Sequence, residues 1–317
     1  MWRRLSVLTA LCAACGSGTI QDRATAESLL TGLPSRQTLE VTAPSTRAPA
    51  ALTAGSPAAT LGETAGLYVL TRKTSAEVNG LVGRTLDTLH SIAQTPPAAV
   101  GPDSAAWGPL TDALSPVAGR LVIHRVGPGA HQFRLDLRPR AAPDSEFEPF
   151  LLGASTGAAP AGPAQGSFSA DLALAHRLDP VAQPTGGQLV AGWTVAPDQR
   201  EVHVHLTDVR TDSGLASTGD LGALTRADGS GVLAFDAQAD LDGNPETVET
   251  GKIRSRWLPN GAGRADVEAH GDAGQDVLMT ECWDASFGRV YATATTPDGG
   301  IGSEGEVNAC VFSDPLR

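Results

Sequence analysis

From Gly119 onward the chain alternates apolar and polar residues with period two, and a segment with that period can bury one face only as a β-strand. RLVIHRV is followed, after a Gly127–Gly129 turn, by HQFRLDLRP, where Phe133, Leu135 and Leu137 alternate with Gln132, Arg134, Asp136 and Arg138. The pattern returns in SFSADLALA, with Phe168, Leu172 and Leu174 inward, and in QLVAGWTV, with Leu189, Ala191, Trp193 and Val195 inward. EVHVHL, VLAFDAQAD, TGKIRSRWL, ADVEAH, VLMTECW and GRVYATAT continue it, separated by turns such as Gly186-Gly187, Pro197-Asp198, Asp242-Gly243 and Asp298-Gly299. Short antiparallel strands with one dry face are predicted, about ten of them, in a mainly β meander that curls into a barrel, half-barrel or sandwich.

One stretch has the other period. Thr74 to Gln94 places Val78, Leu81, Val82, Leu86, Leu89, Ile92 and Ala93 on one stripe of an amphipathic helix. Thr74 and Glu77 have capping-box spacing, and Pro96-Pro97 stops the helix. With no second long helix to pack on, the stripe is predicted to plug the curl of the sheet. Gly66 to Leu70 reads as the approach to the helix. The proline-rich stretch 95–116 reads as a surface loop, with Trp107 against the sheet edge.

The chain starts differently. Met1 to Cys15 carries Arg3 and Arg4, then a short apolar run, then Ala13-Ala14-Cys15, which is too short and too interrupted for a membrane span. The Ala-Ala-Cys boundary resembles the lipobox of bacterial lipoproteins, with Cys12 where that box usually has Leu. The resemblance implies that Cys15 becomes the acylated first residue of the mature chain, held to a membrane by its lipid. Gly16, standing where Asp would resemble an inner-membrane retention signal, points to the outer membrane. Residues 16–60, rich in Ala, Pro, Ser and Thr, are predicted to be a flexible tether with room for a short helix near Arg23 to Leu30, leaving 61–317 as a single β-rich domain. After processing, Cys282 and Cys310 are the remaining cysteines, and in an exported chain the expectation is a disulfide, contributing about 3 kcal/mol by closing its loop.

A formal charge of −12 disfavours nucleic acid and electrostatic docking on anionic lipid. Few groups suggest chemistry. GASTG at 153–157 has G-x-S-x-G spacing, but Ser155 is followed by GAAPAGPAQG, which cannot supply the helix of a nucleophile elbow. His203 and His205 share one strand face and could give zinc two ligands, with His131 or His124 as a third; the plainer reading is a solvated polar face. Asp240, Asp242, Asn244 and Glu246 alternate as the ligands of a calcium loop do, but Pro245 occupies the place an EF-hand reserves for glycine, and a hairpin turn is the plainer reading. Lys252, Arg254 and Arg256 share a strand face, as an anion site would require or as ordinary cross-strand ion pairs would.

YVLTRKTSAEVNGLV with the later WGPL, SRWLPNGAGRADV, and ECWDASFGRVY closing on ACVF together resemble a family of uncharacterised lipoproteins abundant in myxobacteria. That resemblance, from about Tyr68 to the end, implies a lipidated periplasmic or surface protein and brings no activity. Two function classes follow: a non-enzymatic lipoprotein that binds an apolar ligand or an envelope protein, and a metal-dependent hydrolase built on His203 and His205. The first is favoured, with no cofactor expected.

Overall fold

The computed structural model describes residues 20–44, 60–112, 114–157, 162–210, 216–239, 248–271, 276–296 and 299–316. The signal segment with Cys15, and the acidic turn with Asp240 and Asp242, lie outside the described residues.

Among the described residues the chain builds one antiparallel sheet of 15 strands, in which every strand pairs with its neighbours in sequence. They are β1 (Ala99–Val100), β2 (Ser104–Leu110), β3 (Val117–Gly127), β4 (Ala130–Pro139), β5 (Glu148–Gly157), β6 (Ala164–Asp171), β7 (Gly186–Val195) and β8 (Gln199–Arg210). The meander continues through β9 (Ala216–Arg226), β10 (Gly231–Ala239), β11 (Glu249–Trp257), β12 (Gly263–His270), β13 (Val277–Trp283), β14 (Arg289–Thr296) and β15 (Gly299–Gly305). The sheet is open: β1 and β15 are its edges, and they do not pair to close a barrel. The expected meander is present, but the barrel and sandwich alternatives are not what forms, and about ten strands was too few.

The helix α3 runs from Gly66 to Ala93, eight residues longer at its start than its apolar stripe announced. Thr74 is buried inside it and caps nothing; the N-cap is Ala65, whose side chain makes no capping bond. The end of the helix is instead satisfied from far away in sequence, by the buried carboxylate of Glu281 on β13, which accepts from Leu67 N. Val78, Leu81, Val82, Leu86, Leu89 and Ile92 are all buried against the inner face of the sheet, in one core with Leu121, Phe133, Leu151, Phe168, Leu189 and Trp193.

α3 crosses the strands. Near its start Leu67 meets β13 and Thr71 Oγ1 lies 2.5 Å from Ser255 Oγ on β11; near its end Ile92 fills the space above Gly119 on β3. Leu67 and Ile92 are about 37 Å apart along a helix axis rising 1.5 Å per residue. The ten strand spacings from β3 to β13 measure about 48 Å at roughly 4.8 Å each. The arc exceeds its chord, so the sheet is concave toward the helix.

Residues 20–44 overturn the tether expectation over their length. α1 (Ile20–Leu30) and α2 (Arg36–Leu39) dock on the same core, burying Ala26, Leu29, Leu33, Leu39 and Val41. Asn79 of α3 accepts from Val41 N at 2.8 Å and donates to Val41 O at 2.9 Å, and Arg36 pairs with Asp87, also on α3. Two further readings are corrected. Leu172 and Leu174 belong to a short helix, α4 (Leu172–Leu178), because Asp171 caps it by accepting from Leu174 N at 2.9 Å. The stretch 95–116 is not a surface loop: it carries β1 and β2, and Trp107 is 1% exposed.

On the outer face, Cys282 and Cys310 lie at disulfide distance with Cα atoms 5.4 Å apart, drawing the C-terminal tail across β11 and β12. Arg264 donates to Phe312 O and Ser313 O, and Arg256 lies 4.4 Å from the Phe312 ring centroid.

Candidate ligand pocket

A largely apolar recess lies where α1 closes over the β1 edge. Its walls are α1, the last turn of α3, the following segment to Val100, and Trp107 on β2, and its volume is about 820 Å³. Local sequence explains each wall. Ala26, Leu30 and Leu33 recur at helical spacing on the inner side of α1 and just beyond it. Pro96-Pro97 turns the chain away from α3, leaving Ala93 uncovered by further helix.

Trp107 is the unusual member. Its ring is buried, and its Nε1 has no hydrogen-bond partner, although a buried indole N–H normally finds one. Charge is confined to the rim: Arg23, whose side chain is 82% exposed, pairs with Glu27 at 3.0 Å, and Asp22 sits beside them. His90 faces the pocket too, but its Nε2 donates to Pro34 O at 2.8 Å and so holds the α1–α2 connection.

Two other recesses hold ion pairs. One, of about 740 Å³, crosses the outer face of β3 to β7, where the fully buried Asp136 carboxylate binds both Arg120 and Arg134. The other, of about 460 Å³, lies beside the start of α3, where Glu281 binds Arg289 as well as the helix end. In both, the charged groups are engaged with one another.

The residues singled out from sequence are not brought together. His203 and His205 do share the exposed outer face of β8. His205 Nδ1 lies 2.6 Å from Asp220 Oδ1, and its Nε2 lies 3.1 Å from Thr207 Oγ1. Neither expected third ligand is near. His124 stands on β3, five strand spacings or about 24 Å along the sheet. His131, on β4, faces the opposite side, buried beneath Gly32. Among the described residues no three His, Cys, Asp or Glu side chains converge as a metal site. Ser155 is a strand residue, not an elbow, and its Oγ donates to Gly32 O at 2.5 Å. Lys252 pairs with Glu268, Arg254 with Asp236, and Arg256 lies under the tail, so that row of cations is structural.

Sequence reasoning missed the pocket because one wall of it, from Asp22 to Leu33, lay in the segment assigned to a tether. The one available signal was the Ala26, Leu30, Leu33 spacing. No protein-family model, no curated protein and no solved structure matches this chain.

Proposed function

We propose that this chain is an exported, non-enzymatic binding protein, held on the envelope side of the outer membrane by acylation at Cys15, that carries an apolar ligand between α1, α3 and β2. The observation that supports this reading is a recess walled by Ala26, Leu30, Leu33, Ala93, Val100 and Trp107, large enough for a small lipid or comparable molecule. Its placement at the open edge of a curved sheet fits a carrier, since a helix that packs on a sheet edge can part from it without breaking the sheet. The resemblance to myxobacterial lipoproteins fits the same reading. The hydrolase alternative has less support, because among the described residues no third His, Cys, Asp or Glu converges with His203 and His205 as a metal site.

The test is saturable binding of N-phenyl-1-naphthylamine, whose fluorescence rises in apolar surroundings. Leu30→Trp, which fills the recess, should weaken binding by at least about tenfold, equivalent to about 1.4 kcal/mol. Val190→Trp, in the groove on the outer face, should leave it unchanged. Equal binding by wild type and Leu30→Trp would refute the reading.

A further inference from the structure

The groove on the outer face of the sheet has a chemistry of its own. We propose that it binds a singly charged amphiphile, an acid group joined to an apolar body, with the acid on Arg120 and Arg134 and the body lying toward Val190.

Charge selects the head group. Asp136 on β4 is 1% exposed, and its carboxylate accepts from Arg120 Nη2 at 2.9 Å and from Arg134 Nε. Two guanidiniums thus share one buried carboxylate, which leaves a positive charge in excess on a chain that is otherwise strongly acidic. Among the described residues that line the groove, Asp136 is the single acid, set against Arg120, Arg134 and the His124 imidazole. A guanidinium has several N–H donors, and Asp136 accepts from one nitrogen of each arginine. Both side chains line the groove and stay open to solvent, Arg120 at 37% and Arg134 at 49% exposed, so donors remain for a ligand. Arg120 is also held in place, its guanidinium 4.5 Å from the Phe147 ring centroid, so less side-chain order is lost on binding. A planar acid group matches this pair. One negative charge balances the site, whereas a second would exceed it.

Strand register selects the body. Arg134, Leu152, Ser169 and Val190 are direct partners on the successive strands β4 to β7, so they form one row across the outer face. From Arg134 to Val190 the row covers three strand spacings, about 14 Å. Leu152 and Val190 leave 47% and 43% of their surface exposed, apolar area beside a cationic end. Ala154 and Ser167, paired in the neighbouring row, are small and keep the groove open. An apolar body along the row covers Leu152 and Val190 while its acid group reaches Arg134.

Anilinonaphthalene sulfonate, which carries one negative charge on an aromatic body, is the probe. It should bind the full-length protein saturably, and Arg134→Gln should weaken binding at least about tenfold through lost charge-assisted hydrogen bonds. Val190→Trp, which fills the far end without touching the ion pairs, should weaken it comparably, and Leu30→Trp in the α1 recess should not. Octanoate should displace the probe at least about tenfold more effectively than octanol, its uncharged counterpart. A circular dichroism spectrum matching that of the wild type shows that Arg134→Gln is folded; should that variant lose structure, Val190→Trp and the two competitors decide. Unchanged binding in folded Arg134→Gln or in Val190→Trp, or octanol displacing as well as octanoate, would overturn the proposal. Binding lost in Leu30→Trp would overturn it as well, by placing the anion in the α1 recess. The carrier reading of that recess is tested by an uncharged probe and stands or falls separately.

Discussion

The imidazole of His131 lies directly beneath the backbone of Gly32, and a Cβ on Gly32 would come within 2.3 Å of His131 Cγ. The ring is 5% exposed and neither nitrogen has a hydrogen-bond partner. Burial, and then the nearby Arg125, hold its pKa below the ordinary histidine value. Arg125 in turn reaches Ser28 Oγ at 2.7 Å and Asp103 at 3.8 Å, so these contacts and Ser155 clamp the α1–α2 connection to β3 to β5. Above about pH 6.5 the ring is neutral folded or unfolded and contributes no pH dependence. Below it the unfolded chain takes up a proton that the folded ring refuses, so stability falls as pH falls toward the depressed folded pKa. Urea melts should therefore show a midpoint dropping from about pH 7 to about pH 5, with a shallower drop in His131→Leu. Equal drops would exclude His131 as the source. Gly32→Ala should cost about 1–3 kcal/mol, because the ring cannot move aside without undocking the segment.

Among the elements, α3 decides where everything else sits. Its role rests on packing, so truncating its core side should matter far more than removing charge from its wet side. Leu86 is fully buried, and Leu86→Ala should cost about 2–5 kcal/mol in denaturant melts. Asp87, one residue on, pairs with Arg36 of α2, which keeps its carboxylate below the usual range, but the pair is more than half exposed and screened by water. Asp87→Ala should cost a small fraction of the Leu86→Ala loss; comparable losses would mean that surface pairing, not the buried stripe, holds the helix down. The stripe and the Pro96-Pro97 stop were legible because both are local. The start was not, because the group that caps it, Glu281, is more than 200 residues away and on a strand.

Over the whole molecule, curvature places the open β1 edge where α1 covers it, so the proposed carrier site lies at the rim of the sheet and not at its centre. No helix among the described residues is long and apolar enough to cross a membrane, and the charge of −12 gives anionic lipid nothing to attract. The proposed membrane attachment rests on acylation at Cys15. Cells fed a palmitate analogue should label the wild type and leave Cys15→Ser unlabelled and released from the membrane fraction; equal labelling of both would rule the anchor out.

Taken by itself, the sequence determined what short-range geometry controls: strands wherever bulky apolar residues alternate with polar ones, one long helix where they recur at three and four, and a cysteine pair with a single partner to choose. The tertiary structure alone decided the rest. Glu148–Gly157, Ala216–Arg226 and Gly299–Gly305 are rich in Gly, Ala, Ser and Thr, so they carry little contrast between faces. They are strands because neighbours on both sides supply a hydrogen-bonding ladder, or on one side at the β15 edge. The short helix allowed for near Arg23 to Leu30 is present as α1, but that its few apolar residues are buried was decided by the sheet beneath them. Trp107 went from an expected edge residue to the wall of a pocket for that reason: side-chain burial depends on what the rest of the chain places above it, and no local pattern encodes that.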